Sequence, residues 1–261
     1  MIGMTLESKS PVLELEQVSK KFGHVVALER VSMIAHSGEV LAIVGDNGAG
    51  KSTMFKVLAG VHEMDSGKYL IDGVSVSLNS PAQAHTHGIA AVFQNLALVE
   101  CLDIATNMYL GRPLTKARFI VDKRRMVESA ADTLRELRIR VPSVRVSVGI
   151  LSGGQRQGVA IARAVQGSSR IVLMDEPTAA LGYRETRQVL AIIRQLRESG
   201  TAVILISHDL ELVFDVADRI LVMRLGRVAG VRNADIANRD EIIGLITGAI
   251  AGDDIDQDEA L

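Results

Sequence analysis

The run Gly45-Asp46-Asn47-Gly48-Ala49-Gly50-Lys51-Ser52 carries the residue types that hold a polyphosphate. Two glycines bracket four residues, and Lys-Ser follows at once. Glycines let backbone N–H groups turn inward without Cβ clashes. With the N-terminus of the following helix, these donors form a nest for phosphate oxygens. Lys51 brings positive charge to the outer phosphates, Ser52 offers a hydroxyl to Mg²⁺, and Thr53 falls in the same nucleotide-binding turn. A glycine-rich turn that merely opens a helix is the bland alternative. Chance produces the full pattern in roughly one chain in a hundred of this length, and here it stands between an apolar run and a helical one.

Ile171-Val172-Leu173-Met174-Asp175-Glu176 is an apolar strand ending in two acids. Asp175 can reach Mg²⁺ from the strand end, directly or through water, and Glu176 can take a proton from an attacking water. Alone, such a pair often just caps a helix; beside a phosphate nest it reads as the hydrolytic half of a nucleotide site. Leu151-Ser152-Gly153-Gly154-Gln155 is a second anion cradle. A hydroxyl, glycine amides and a helix N-terminus carrying roughly half a positive charge converge there. One nucleotide needs one nest. A second nest implies another nucleotide, or one capped from across an interface.

These groups need a scaffold. Residues 12–18 and 25–34 read as strands of an N-terminal β layer, 39–44 as a buried parallel strand, 51–59 as a helix, 67–76 as a hairpin turning at Asp72-Gly73, and 89–93 as a further strand. From 94 to 149 the pattern turns helical, with helices over 104–110 and 122–138. In the second, Val127, Ala130, Ala131, Leu134 and Leu137 share a face. Strands at 170–174 and 202–206, with a helix over 185–198 between them, form a crossover that favours a parallel sheet. The expected organisation is an ATP-binding core in 11–93 and 150–235, a helical subdomain inserted as 94–149, and 236–261 as a C-terminal helix and acidic tail. Residues 241–252 are apolar but too few to span a bilayer. The 235–252 region reads equally as a helix packed on the core or a regulatory contact, and 253–261 as a disordered tail.

Of 261 residues 48% are apolar but only 3% aromatic, so the core must be mostly Leu, Ile, Val and Ala. A formal net charge of -2 shows no basic excess, which argues against a dedicated nucleic-acid binder. The single cysteine, Cys101, cannot make an internal disulfide, fits a reducing compartment, and reads as a small filler in a partly apolar stretch. No apolar run reaches the roughly 18 residues of a membrane span, and residues 1–11 hold no apolar stretch suited to a signal peptide. A membrane link is expected only through a partner.

With Leu151 to Gln155 beside the two nucleotide motifs, the chain resembles the nucleotide-binding domain of ABC transporters over nearly its whole length. The resemblance implies an α/β fold: a P-loop NTPase core of parallel sheet with flanking helices, an N-terminal antiparallel β layer and an inserted helical subdomain. It implies ATP and Mg²⁺ as ligands, and two copies paired head to tail. In that pairing Ser152, Gly153, Gly154 and Gln155 of one copy face the ATP held by Gly45 to Thr53 of the other. Phe22 matches the aromatic that stacks on adenine. Gln94 matches the glutamine that touches Mg²⁺, beside Ser52 and Asp175, and links the core to the insertion. His208 matches the switch histidine near the γ-phosphate, a catalytic partner of Glu176. By type alone, Phe22 reads as core, Gln94 as surface and His208 as a turn residue before a helix. One departure stands out: the family's usual Ala-Leu-Asp is here Ala180-Leu181-Gly182. That removes a carboxylate expected at the dimer interface and leaves the phosphate and Mg²⁺ groups in place.

Several stretches resemble the sugar-import branch of the ribose, xylose and fructose type: Gly45 to Gly50, Val92-Phe93-Gln94-Asn95, Asn107-Met108-Tyr109-Leu110-Gly111, Gly153 to Gly158, and Ala179-Ala180-Leu181-Gly182. The branch implies a peripheral subunit at the cytoplasmic face of the cell membrane, working with membrane permease subunits. Its other partners would be a periplasmic or extracellular sugar-binding protein acting through the permease, and a second copy or a related ATPase domain; nucleic acid is not among them. An importer subunit for another small solute, or an ATP-binding regulatory subunit with weak hydrolysis, are the alternatives. Ribosome-acting members usually carry two ATPase domains and DNA-repair members long coiled coils. A small-molecule kinase would have no use for Leu151 to Gln155.

Overall fold

The computed structural model describes residues 10–116, 119–167 and 169–253. Alternation shapes its start. In β1 (Pro11–Phe22) Leu13, Leu15 and Val18 are buried, and in β2 (Val25–His36) Leu28, Val31 and Met33. The strands pair antiparallel with a register shift between Leu15 and Val18, where Gln17 takes φ 51°. That bulge is what lets residues three apart both point inward.

β3 (Val40–Gly45) is buried along nearly its whole length and leads directly to α1 (Lys51–Leu58). β4 (Ser66–Ile71) and β5 (Val74–Val76) form the expected hairpin, with φ 50° at Asp72 and 74° at Gly73, as a two-residue turn of this hand requires. These strands give a four-stranded antiparallel sheet in the order β2-β1-β4-β5. α2 (Pro81–Thr86), opened by N-cap Ser80 and a proline in its first turn, precedes β6 (Ile89–Val92).

α3 (Ile104–Met108), a small hairpin of β7 (Thr115–Lys116) and β8 (Ile120–Val121), and α4 (Lys123–Glu136) follow. The hairpin was not expected in a stretch read as helical. In α4 the buried line is Met126, Ala130, Leu134, with Leu137 beyond it, while Val127 and Ala131 are only half-buried. The inward stripe is therefore rotated from the expected face, because Met126 supplies its first turn.

The chain continues through α5 (Gly153–Val165), β9 (Ile171–Asp175), α6 (Tyr183–Glu198), β10 (Ala202–Ile206), α7 (Leu210–Val216), β11 (Arg219–Arg224), β12 (Arg227–Asn233) and α8 (Arg239–Thr247). The second sheet runs β12-β11-β3-β10-β9-β6, parallel except for the antiparallel β11/β12 pair. Leu173, Ile204 and Ile206 pack toward α1 and the antiparallel sheet; Met174, Val203 and Leu205 pack toward α3 to α6. Both faces are covered, which explains the unbroken apolar runs.

Within 235–252, α8 packs on the core: Ile242 and Leu245 are fully buried in a cluster with Ile220 and Val222 of β11. No described helix is long and apolar enough to cross a membrane. Cys101 is exposed, not the small filler expected; it sits in the loop before α3, and the nearby buried groups, Ile104 and Ala105, are the first residues of that helix. Residues 254–261 of the acidic stretch, and 1–9 of the N-terminal one, lie outside the described residues. Asp253 itself is clamped by Arg232 at 2.6 and 2.9 Å.

Candidate nucleotide site

Parallel register gathers the chemistry at one edge of the sheet. Ile206 at the end of β10 lies beside Ile43 of β3 on one side and Asp175 of β9 on the other. The phosphate loop after β3, the acids ending β9 and Ser207-His208 after β10 therefore emerge together, outside the carboxyl ends of the strands where open α/β sheets bind ligands. β6 joins the same edge through Val92 beside Met174, and Gln94 follows two residues on, exposed. Phe93 between them stands edge-on to Phe55 of α1, with ring centroids 5.2 Å apart.

The loop's glycines are needed for shape. Gly45 has φ +150° and a Cβ there would lie 2.2 Å from the Met223 carbonyl oxygen; Gly50 has φ +103° and its Cβ would lie 2.7 Å from the Ala27 carbonyl oxygen. Ala49 is buried; its N–H donates to the Asp46 carbonyl at 3.1 Å and its carbonyl accepts from Gly226 N–H at 3.0 Å. Asn47 N–H donates to Asp46 Oδ1 at 2.7 Å. Lys51 lies back over the loop, donating to the Gly45 and Asp46 carbonyls at 2.7 and 2.9 Å. Burial holds its ammonium below the usual lysine range, against the pull of Glu176, Asp46 and Asp175. Ser52 and Thr53 stand in the first turn of α1, Ser52 exposed and Thr53 half-buried.

Glu176 has φ 48°, a left-handed backbone that a Glu rarely adopts, and its N–H donates to the Ile206 carbonyl at 2.9 Å. Its Oε1 is 2.7 Å from His208 Nδ1, the glutamate side chain 15% exposed and the histidine 74%. Asp175 is half-buried. Burial, then the neighbouring Glu176 charge, lift its carboxyl above the usual range, and Lys56 and Lys51 only partly offset them. Crowded acids under-neutralised by lysine, beside a cation spending its bonds on loop carbonyls, suit a metal-bound polyphosphate.

Phe22 is not core: at the end of β1 it is 44% exposed, its ring edge-on to His62 at 5.1 Å and Lys20 Nζ 5.6 Å from its centroid. His62 went unnoticed in the sequence, since no spacing ties it to Phe22. Ser152 to Gln155 stand apart. Ser152 caps α5: Oγ accepts from Gln155 N–H at 3.3 Å, while Ser152 N–H donates to Gln155 Oε1 at 3.1 Å. Gln155 Nε2 donates to the Arg140 carbonyl at 3.0 Å. Gly153 and Gly154 begin α5, Gly153 exposed and Gly154 buried. Among the described residues no hydrogen bond joins this turn to the phosphate loop, so one chain holds two separate cradles.

A parallel sheet with a phosphate loop at its carboxyl edge and paired acids two strands away defines a P-loop ATPase. The sequence profile of the ABC transporter family matches residues 28–179. The xylose/arabinose import ATP-binding protein of Sulfolobus acidocaldarius is 43% identical over 243 residues, 93% of this chain and 96% of that protein. The fructose import ATP-binding protein of Rhizobium meliloti is 42% identical over 249 residues, with 93% and 96% covered. A solved structure of an ABC transporter's ATP-binding cassette in its ADP conformation superposes with a TM-score of 0.78 at 26% identity, covering 91% of this chain and 95% of that one. A dimeric cassette in a post-hydrolysis state, bound to ADP and Pi, gives 0.71 at 26% identity over 85% and 99%. The chain belongs to the ABC transporter family, as one of its ATPases.

Proposed function

We propose that this chain drives sugar import by hydrolysing ATP in a head-to-tail pair, each ATP lying between the phosphate loop of one copy and Ser152 to Gln155 of the other. The convergence of Lys51, Asp175, Glu176 and His208 at one sheet edge carries the hydrolytic reading. Backbone N–H groups from Gly45 to Thr53, with Asp46, Asn47, Gly48, Ala49 and Gly50 shaping the turn, hold the phosphates. Lys51 exchanges its two carbonyl acceptors for phosphate oxygens. Phe22 offers its ring to adenine, with His62 fixing the ring's edge. Ser52 and Asp175, with Gln94, would hold Mg²⁺, which supplies charge neutralisation on the phosphates. Glu176 takes the proton of the attacking water. His208 holds that carboxylate in place through Nδ1.

Sugar as the cargo rests on relatives named for xylose/arabinose, fructose and ribose import. The division into a core of 11–93 and 150–235, an insertion of 94–149 and a C-terminal 236–261 belongs to the same proposal. The insertion moves as the pair closes, and the surface beside Gln94, where Phe93 and Val99 are exposed, passes that motion to a permease. The subunit then sits peripherally at the cytoplasmic face, and an external sugar-binding protein delivers the cargo to the permease.

Phosphate release by the purified chain with its permease tests the chemistry. Glu176→Gln should lower turnover by about two to four powers of ten with ATP still bound. An unchanged rate removes Glu176 from the role of base. A wild-type chain that binds ATP without turnover is a regulatory subunit instead. Uptake of labelled xylose, fructose and ribose by reconstituted vesicles tests the cargo; uptake of none assigns another solute.

A further inference from the structure

α6 begins where the family's usual acid is missing. Gly182 is its N-cap and has no side chain to cap with. Glu185 reaches back instead, its Oε2 accepting from Gly182 N–H at 3.2 Å. The same side chain lies on the second anion cradle. A Cβ at Gly154 would stand 2.8 Å from Glu185 Cβ and 2.9 Å from its Cγ, and one at Gly153 would be 3.9 Å from Oε2. The Gly182 N–H bond first, then the nearby Ser152 hydroxyl and Gly154 N–H, hold this carboxylate below the usual range. An internal anion thus lies against the donors that, in the paired reading above, receive the partner copy's ATP.

We propose that Glu185 is an internal placeholder for phosphate: its side chain lies against the Ser152 to Gly154 turn in the single chain and gives way when a second copy presents the γ-phosphate. The proposal rests on the paired-site reading. The competition is between a carboxylate and a phosphate for the same donors at one helix N-terminus, where negative charge is favoured and two anions repel. Because Glu185 also holds Gly182, its displacement loosens the 179–182 loop in the same event. That couples the cradle to this loop without an acid at position 182, which part of the family's sequence pattern supplies elsewhere.

Sedimentation of the Glu176→Gln chain across an ATP titration with Mg²⁺ reads the pairing midpoint. Adding Glu185→Gln, which keeps the shape and drops the charge, or Glu185→Ala should lower that midpoint by about two- to fivefold, while ATP affinity measured at concentrations below pairing stays constant. Hydrogen exchange at the Gly154 amide in the single chain should quicken in Glu185→Ala. An unchanged or raised midpoint, or unchanged exchange, overturns the placeholder alone. A Glu176→Gln chain that stays monomeric at saturating ATP overturns the paired-site reading and the placeholder with it.

Discussion

The phosphate loop and the Ser152 turn both aim backbone donors at an anion, yet they are built by opposite means. Gly45, Gly48 and Gly50 hold φ +150°, +82° and +103°, conformations L side chains avoid, and the loop is pressed against Met223 and Ala27. It brings its own cation in Lys51 and lies beside its own acids, Asp175 and Glu176. The Ser152 turn needs no unusual backbone: Ser152 is an ordinary extended N-cap at φ -65° and ψ 163°, and neither Gly153 nor Gly154 has positive φ. Its glycines give clearance for Leu181 and Glu185 instead. The first cradle is a self-sufficient site held in strain by the sheet around it. The second is a helix start, easily formed, that becomes specific only when something else supplies the ligand.

The comparison breaks most readily at its glycines. Gly45→Ala should destabilise by about 3 kcal/mol, since backbone strain of about 1–3 kcal/mol adds to a clash with a carbonyl that no rotamer can relieve. Gly154→Ala meets a milder approach, 2.8 Å to Glu185 Cβ, and Ala gains about 1 kcal/mol over Gly inside a helix. Its net loss should be about 1 kcal/mol, with ATP-driven pairing suffering more than stability. Urea midpoints of the two variants measure this directly; equal losses would mean both cradles depend on strained backbone. Next in size, Lys51→Ala should weaken ATP binding about 10- to 100-fold by calorimetric titration, as expected for hydrogen bonds to a charged group. Intact affinity would leave the loop without its cation's role.

Much of this was legible before any coordinates. The phosphate loop, the acid-ended strand and the Ser152 turn are contiguous motifs, and each has one local explanation. Strands such as residues 202–206 and the Asp72-Gly73 hairpin were legible because pattern and turn chemistry agree. What stayed hidden depends on register and packing. Nothing in spacing says that Met223 crosses Gly45, that His62 meets the Phe22 ring, or that Glu185 folds back on Ser152. The β11/β12 pair stays hidden because β12 has only three apolar side chains, Val228, Ala229 and Val231, among arginines, and the inward face of α4 depends on Met126 in its first turn. Phe22 shows the converse: aromatic type argued for burial, and its place at a strand end keeps it exposed.

The smallest effects sharpen the contrast most, because they differ in sign. Asp175 and Glu185 are carboxylates beside the two cradles that are held on opposite sides of the usual range. Asp175 is held above the usual range by burial and by Glu176, so its ionised form destabilises the folded chain at neutral pH. That penalty is fully present above the folded pKa and fades as pH falls toward the unfolded value. Asp175→Asn should therefore raise the unfolding free energy at pH 7 by a few tenths to about 1 kcal/mol after solvent screening, with the gain shrinking on acidification. Glu185 is held below the usual range, by the Gly182 N–H bond first, so its ionised form stabilises the folded chain above the unfolded pKa, and that contribution disappears as pH falls through the folded one. Glu185→Gln should lower the midpoint at pH 7 and converge with the parent in acid. Paired urea titrations of both variants at neutral and acid pH decide it. If the two substitutions shift stability in the same direction at pH 7, the phosphate loop does not hold its acid in waiting for a cation while the Ser152 turn holds its own at rest.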